Sequence, residues 1–557
     1  MKSEIEDTGS GKNRGLKAAG NLFAPLAETR FRQLWSANLL SNLGWLIQGV
    51  GAAWLMAELT SSPQMVALVQ TMTQLPILLF ALFAGTAGDL WEKRWVLMTA
   101  QVWMLSTSIV LAVLSYAGMV TPAVLLAFTF MLGAGAAING PVFQAVVREI
   151  VRPQMLAGAV VINAVAFNLA RAVGPALGGG IVATAGAEAA FLFNAVSYIA
   201  LILVLLFNLP ASPRNELPRE RLGSAILAGM RYVGQTPDIW HAMGRASLYG
   251  FAAPAVMALM PLIVRDEMGG GAIAFGLMLG VFGVGALVGA FTVQPLRQKI
   301  GAERLVTIQT GLFGGALLTL GLTSAPVAVV LAVMVGGSCW LGAFSTFNIS
   351  VQMTTAPWVQ SRVLAIYQMA LFGSMALGSW FWGLIAELTD IRIAMLVAGL
   401  SMLGSLALAP WLRLAVSGPP DFSPSGRSEP DALLPVQGGD GPILNRMEYR
   451  VALKDAQAFV LAMDDLGHVR RRNGAIRWRL FQDLADPEHW TETFMLADWD
   501  ELRRFNRRES ATDIAIETRV WKFEQSGEPP VARYMIARRH DSRFALDPEE
   551  EARRRPE

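Results

Sequence analysis

Residues 163–180 read "NAVAFNLARAVGPALGGG". The stretch is apolar enough for lipid, yet it holds Arg171, Pro175 and a cluster of glycines. It lies inside a longer apolar run, 156–182, and another follows at 189–208. A helix of about 20 apolar residues crosses the hydrocarbon core, where only an internally hydrogen-bonded backbone is tolerated. Working outward, further runs fall near 33–57, 64–87, 96–117 and 122–144 on one side. On the other they fall near 239–263, 273–296, 304–323, 326–348, 361–385 and 391–412. The reading is an all-α polytopic membrane protein of about twelve transmembrane helices in two six-helix halves.

Composition agrees. Of the 557 residues, 53% are hydrophobic and only 16% are charged, where a soluble protein carries about 25%. Roughly half of the basic and over half of the acidic residues follow residue 412, so membrane and soluble chemistry separate along the chain. The net charge of +2 averages two unlike regions, and no nucleic-acid partner is expected. Cys339 is alone and four histidines are scattered, so neither a disulfide framework nor a metal cluster is predicted, and no cofactor is called for. The polar first thirty residues do not resemble a cleaved signal peptide.

Basic residues alternate between loops. Lys2 to Arg32, Lys93 and Arg94, Arg148 and Arg152, Arg214 to Arg231, Arg297 to Arg304, and Arg362 fall on one side. Little beyond Arg265 and Arg392 falls on the other. The positive-inside rule then puts both termini in the cytoplasm.

The expected organisation is a cytosolic segment at 1–30, a first half at 31–208, a central cytosolic loop at 209–238 and a second half at 239–412. "GPALGG" at 174–179 is echoed by "SMALGS" at 374–379, a faint parallel repeat of the kind that puts a substrate site between halves. A Pro/Gly/Ser-rich linker at 413–444 should be flexible or extended. A compact domain at 445–540 reads βαββαβ, a small α+β ferredoxin-like cytosolic domain, before a charged tail at 541–557. Its predicted helix puts Phe459, Met463 and Leu466 on one face, and its second strand puts Ile476, Trp478 and Leu480 on one side.

Arg171 is the sharpest signal of a site. A charge at membrane depth costs at least about 2.5–3.5 kcal/mol, so it faces a cavity or a partner. Substrate binding and structural pairing both remain open for it. Asn168 and Pro175 lie on its helical face. Asn38 and Asn42 share a face with Trp45 and Gly49, and Gln70 shares one with Gln74. Gln368 shares a face with Phe372 and Met375, and Asn139, Asn194 and Asn348 sit at depth. Each serves a helix–helix hydrogen bond or a cavity. Arg171, Asn168, Asn42, Asn38, Gln74 and Gln368 are the candidate substrate contacts. With many Met and Trp they suggest an amphiphilic small-molecule substrate. Gly174 and Pro175 allow close approach and bending against a partner helix. No Asp or Glu lies deep in a helix, and no GxxxxGK[ST] pattern occurs, which argues against an ATP-driven pump.

"GTAGDLWEKRW" at 85–95 resembles the loop signature of the major facilitator superfamily, with Gly85, Asp89, Lys93 and Arg94 in place and Leu90 and Glu92 departing from it. The resemblance implies that Asp89 latches a cytoplasmic gate, with Arg94 in the motif and Arg148, Arg152 and Arg362 as candidate partners. "ARAVGPALGG" resembles the fifth-helix motif of antiporters, mostly exporters, through Gly174, Pro175, Gly178 and Gly179; Ala170 and Val161 replace earlier glycines. The first 412 residues resemble the transmembrane secretion effector branch, related to enterobactin exporters, and the tail resembles antibiotic-biosynthesis-monooxygenase-like domains. These imply a proton-coupled exporter of a siderophore, antibiotic or similar metabolite. In some exporters of the superfamily an Arg stands in the fourth helix, where this chain has Thr129. Uptake by the same fold, catalysis by the tail, and self-association through the tail are the alternatives. His468 and His489 lack a paired acid or metal spacing, which leaves them as surface residues.

Overall fold

The computed structural model describes residues 24–90, 92–152, 155–207, 222–414, 420–427, 434, 436 and 438–537. They divide into two compact units. The first holds the described residues of Met1–Leu222, His241–Gln352 and Leu364–Val416; the second holds those of Gly223–Trp240, Met353–Val363 and Ser417–Glu557.

Among the described residues, eleven helical segments are long and apolar enough to cross a membrane. The bundle begins with α1 (Thr29–Leu59), α2 (Pro63–Leu90), α3 (Lys93–Tyr116), α4 (Pro122–Ile150) and α5 (Leu156–Phe207). At about 1.5 Å per residue a 52-residue helix is far longer than a bilayer is thick. Gly186, at φ 78° and ψ 171°, breaks it into two legs, a left-handed backbone that glycine adopts without strain. The first half therefore makes six passes. The chain continues through α6 (Leu222–Gly234), α7 (Pro237–Ala252), α8 (Ala255–Leu262), α9 (Ala272–Ile300), α10 (Ala302–Leu322), α11 (Pro326–Met353), α12 (Gln360–Leu388) and α13 (Ile391–Gly404). One pass combines α7, α8 and the turn of π-helix at Ile263–Glu267. With α9 to α13 it makes six more.

Local chemistry sets the ends. Thr121 caps α4 by accepting from the Val124 amide, with Pro122 at the first helical position; Asp390 caps α13 through Ile393. These spare orphan N–H groups that lipid could not satisfy. Inside the first half, Ser108 Oγ donates to Gln48 Oε1 at 3.0 Å. Asn194 Nδ2 reaches the same oxygen, Ser108 Oγ at 3.2 Å and Tyr198 Oη at 3.1 Å. The network ties α1, α3 and the second leg of α5, so Asn194 is structural.

The second unit is built on β1 (Ile443–Arg450), α14 (Ala456–Asn473), β2 (Ile476–Gln482), β3 (His489–Leu496), α15 (Trp499–Arg508), α16 (Ala511–Trp521) and β4 (Arg533–Ile536). The sheet runs β2-β3-β1-β4 and every pair is antiparallel, the ferredoxin-like order. Phe459, Met463 and Leu466 of α14 are buried against Met447, Tyr449 and Trp490. The register of β2 shifts between Ile476 and Arg479, with Arg477 at φ 53°. The predicted alternation fails there, which leaves Ile476 exposed while Trp478 and Leu480 pack on the core.

The same unit includes two segments from elsewhere in the chain. Arg231 of α6 donates to the Gly474 carbonyl at 3.1 Å. Arg472 lies 5.5 Å over Tyr232, whose hydroxyl accepts from Ala356 N at 3.0 Å. Arg508 lies 4.4 Å over Trp358. Residues 421–427 run extended along α16, with Ala511 N bonded to Ser423 O and Arg427 paired to Glu509 and Glu517.

Candidate functional site: a cavity between the two halves

The two halves of the first unit meet along two seams. On one, glycines bring α5 and α9 to backbone contact: a Cβ on Gly276 would stand 2.5 Å from the Pro175 carbonyl oxygen, and one on Gly179 2.6 Å from that of Ala272. Only small residues permit such an approach. Gly276→Val is expected to destabilise the purified protein by about 1–3 kcal/mol, read as a lower melting temperature, whereas Gly180→Ala, where a Cβ meets open space, should not. On the other seam, α2 meets α12: Thr71 Oγ1 donates to the Ala376 carbonyl at 3.2 Å, and Gly373 faces Leu78.

A cavity of about 260 Å³ lies between the seams. From α1 come Trp45, Gly49 and Ala53; from α2 Gln70, Thr73 and Gln74; from α4 Thr129 and Leu132. The stripe Phe167, Arg171, Pro175 of α5 projects into it at four-residue spacing. The second half adds Met257 of α8, Phe275, Leu279 and Phe282 of α9, and Trp340 of α11. The Arg171 guanidinium rests 4.9 Å over the Phe167 ring. Among the described residues it forms no ion pair, and the lining contains no Asp or Glu.

At the edge of the lining, Trp54 stacks on Phe275 across the halves at 5.9 Å between ring centres. Beyond that, both ends of the turn joining α1 to α2 are held by opposite charges from the second half. Arg265 Nη1 donates to the Ala57 carbonyl, and to that of Thr60 at 3.5 Å, at the C-terminus of α1. Glu387 Oε2 accepts from Ser62 Oγ at 2.7 Å and from the Gln64 amide at 3.2 Å, at the N-terminus of α2. A cation at a helix C-terminus and an anion at an N-terminus both oppose the helix dipole. The bundle is latched at this end.

Of the expected substrate contacts, Arg171 and Gln74 reach the cavity, as does Pro175 from the expected gate. Asn38 and Asn42 do not line it: they lie on the cavity-facing stripe of α1 but about three turns and two turns from Gly49, before the first lining residue, Trp45. Asn168 is rotated off the Phe167–Arg171 stripe and gives its Nδ2 to the Ala164 carbonyl at 2.8 Å. Gln368 is half-buried on α12 and is not in the lining. Asn139 accepts from Gln101 at 2.8 Å. For the expected gate, the side chains of Asp89 and Arg148 lie outside the described residues. Arg94 donates to the Leu206 carbonyl at 2.7 Å and stacks beside Trp95. Arg362 stands in the first turn of α12, within the second unit. Gly174 packs on Leu46, where a Cβ would be 3.1 Å away. Thr129, singled out only as a substitution, lines the cavity. In the second unit, His468 lies on α14 rather than in a loop and faces Gln235. His489 begins β3, 3.8 Å from Asp483.

Two packed helical halves around a polar-tipped, aromatic cavity have the architecture of a membrane transporter. The chain belongs to the transmembrane secretion effector family, whose model matches residues 20–542. It is 23% identical over 379 residues to a staphyloferrin A transporter of Staphylococcus aureus, covering 66% of this chain and 93% of that protein. It is 28% identical over 388 residues to the multidrug efflux pump Tap of Mycobacterium tuberculosis, covering 65% and 88%. It is 26% identical over 407 residues to an enterobactin exporter of Escherichia coli, covering 71% and 95%. Among solved structures the fold resembles the nucleoside transporter NupG, with a TM-score of 0.57 at 12% identity, covering 69% of this chain and 98% of that one. It also resembles a bacterial homologue of the lysosomal transporter Spinster, with a TM-score of 0.53 at 13% identity, covering 70% and 95%.

Proposed function

We propose that the chain exports a small amphiphilic organic molecule, a siderophore, an antibiotic or a similar metabolite, across the bacterial cytoplasmic membrane by alternating access. The observation that carries this is a cavity bounded by both halves and latched at one end by inter-half contacts. In this reading the termini are cytoplasmic and the latched end faces the exterior, as the distribution of basic loops supports, and the cavity is shut toward the exterior. Rocking of the halves about the two glycine-rich seams would break the latch and present the same site outward. Export, rather than uptake, is supported by the named activities of the multidrug efflux and enterobactin exporter relatives. The driving ion in this reading is the proton, coupled without an acidic residue in the cavity lining.

Deleting the gene should leave inside the cell a metabolite that the parent strain secretes, visible by comparing intracellular and medium metabolite profiles. That metabolite should accumulate in energised everted vesicles carrying the protein and not in vesicles without it. Loss of a metabolite from the cell interior on deletion would instead indicate uptake.

A further inference from the structure

The cavity wall is richer in hydrogen-bond donors than in acceptors. Arg171 brings five N–H donors; its guanidinium lies over the Phe167 ring and makes no hydrogen bond or ion pair with a described residue. Gln70 and Gln74 each bring an NH2 group and make no hydrogen bond with a described residue. The indole N–H groups of Trp45 and Trp340 are likewise unspent on described residues. Thr73 and Thr129 spend their hydrogens on their own helices, to the Val69 and Leu125 carbonyls, each at 2.8 Å. Side-chain acceptors facing the space are few: the hydroxyl oxygens of Thr73 and Thr129 and the amide oxygens of Gln70 and Gln74, that of Gln48 being taken by Ser108 and Asn194. Donors outnumber them, and one donor group carries a full positive charge.

A guanidinium at membrane depth, half-buried and with no carboxylate in the cavity lining, is costly. The cost is recovered when a bound anion takes the place of the missing partner, and a low-dielectric wall strengthens that attraction. The rest of the wall is aromatic. Phe275 continues the Trp54 stack, and Phe282 meets Trp340 edge-on at 5.7 Å. Flat aromatic surface of this kind binds an unsaturated ring system. A cation has no place here: nothing in the lining would neutralise it, and Arg171 repels it.

We propose that the cargo is an aromatic or otherwise unsaturated amphiphile carrying at least one negatively charged oxygen group, a carboxylate, phenolate or sulfonate. Arg171 binds that group bidentately, Gln70 and Gln74 donate to its flanking oxygens, and the aromatic wall takes the body. Cationic amphiphiles of the same size are excluded. This inference rests on the cavity being the cargo site of an exporter, and it adds the sign of the cargo's charge.

The test uses one ring system with two charges. Fluorescein and rhodamine 123 share a xanthene body but are an anion and a cation. Binding is followed by fluorescence anisotropy to the full-length protein in nanodiscs of zwitterionic lipid, with empty nanodiscs subtracted. Fluorescein should bind saturably and about tenfold or more tighter than rhodamine 123. Arg171→Gln should weaken fluorescein by about tenfold or more and leave rhodamine 123 unchanged or improved. Arg171→Lys, which keeps the charge but loses the fork, should keep the preference for the anion and shows that the site still folds. Equal binding of the two dyes, equal loss of both in Arg171→Gln, or no saturable fluorescein binding overturns the proposal. Anion-selective binding without accumulation of fluorescein in energised everted vesicles would leave the charge assignment standing and count against the exporter reading.

Discussion

Replacing both latch residues, Arg265→Gln with Glu387→Gln, is expected to open the end of the bundle where α1 turns into α2. Spin labels on the exposed residues Ser61 and Thr389, in a background where the buried Cys339 is alanine, should move apart in pulsed-dipolar distance distributions. The physical basis is at the termini of two helices. The last carbonyls of α1 carry partial negative charge and receive Arg265; the first N–H groups of α2 carry partial positive charge and receive Glu387. Arg265 is itself oriented by Asp266, at 2.6 Å and 3.0 Å. Glu387 is exposed, so water screens part of its contribution. Together the two contacts should contribute about 2 kcal/mol, or roughly a thirtyfold change in the closed-to-open ratio. Arg265→Glu should open the end further than Arg265→Gln, because a carboxylate at a helix C-terminus is repelled. An unchanged distance distribution in the double variant would show that Trp54–Phe275 and the glycine seams close this end without the latch.

The outline of the bundle was legible because its determinant is local. Twenty apolar residues specify a span whatever surrounds them, and Gly186 between two such runs marks the break in α5. Arg171 and Gln74 were legible for a related reason: polarity at membrane depth requires a destination. What was hidden depends on distance in sequence. Arg265 lies 208 residues from Ala57, and Ser62 lies 325 from Glu387, and both charged residues read as ordinary helix-end residues. Asn38 and Asn42 had the correct helical face, but a face carries no depth, and depth decides whether a side chain meets the cavity. The aromatic wall was invisible because Phe275, Phe282 and Trp340 have the composition of any lipid-facing or core residue. Asn194 shows the converse, a buried amide whose bonds go to Gln48, Ser108 and Tyr198. In the C-terminal unit the alternation of β2 promised three inward residues, and a register shift at Arg477 delivered two.

Arg470→Met should unfold the C-terminal sheet domain at pH 8 and spare it, in part, at pH 5. Arg470 is buried at the centre of the unit. It reaches Glu517 at 2.5 Å, Glu509 at 3.0 Å and Glu492 at 3.4 Å. Arg427 supports the first two carboxylates from the linker, at 2.5 Å and 3.0 Å, and Glu492 also accepts from Tyr449 and Trp478, each at 2.9 Å. Burial pushes the Glu509 carboxyl up to about 7, against the pull of Arg470 and Arg427 and with Glu517 and Asp513 adding to the rise. Burial works the same way on Glu517, but Arg470 and Arg427 outweigh it and hold that group below its ordinary value. Removing the shared cation leaves three buried carboxylates with one peripheral arginine. Breaking a buried pair in this way costs about 3–5 kcal/mol, a large part of what a small domain has to lose. The sign of the pH effect follows from the direction of the Glu509 shift. A carboxyl raised in the folded state binds its proton more tightly there than in the unfolded chain, so its contribution is complete below about 4.5 and is lost as pH rises through about 7. The wild-type domain should therefore melt higher at pH 5 than at pH 8 on this account, Glu509→Gln should flatten that difference, and Arg470→Met should steepen it. Calorimetry of the full-length protein at the two pH values, following the transition of the sheet domain, reads all three. A pH-independent transition in the wild type would mean that Glu509 stays ionised in its pair with Arg470 and Arg427.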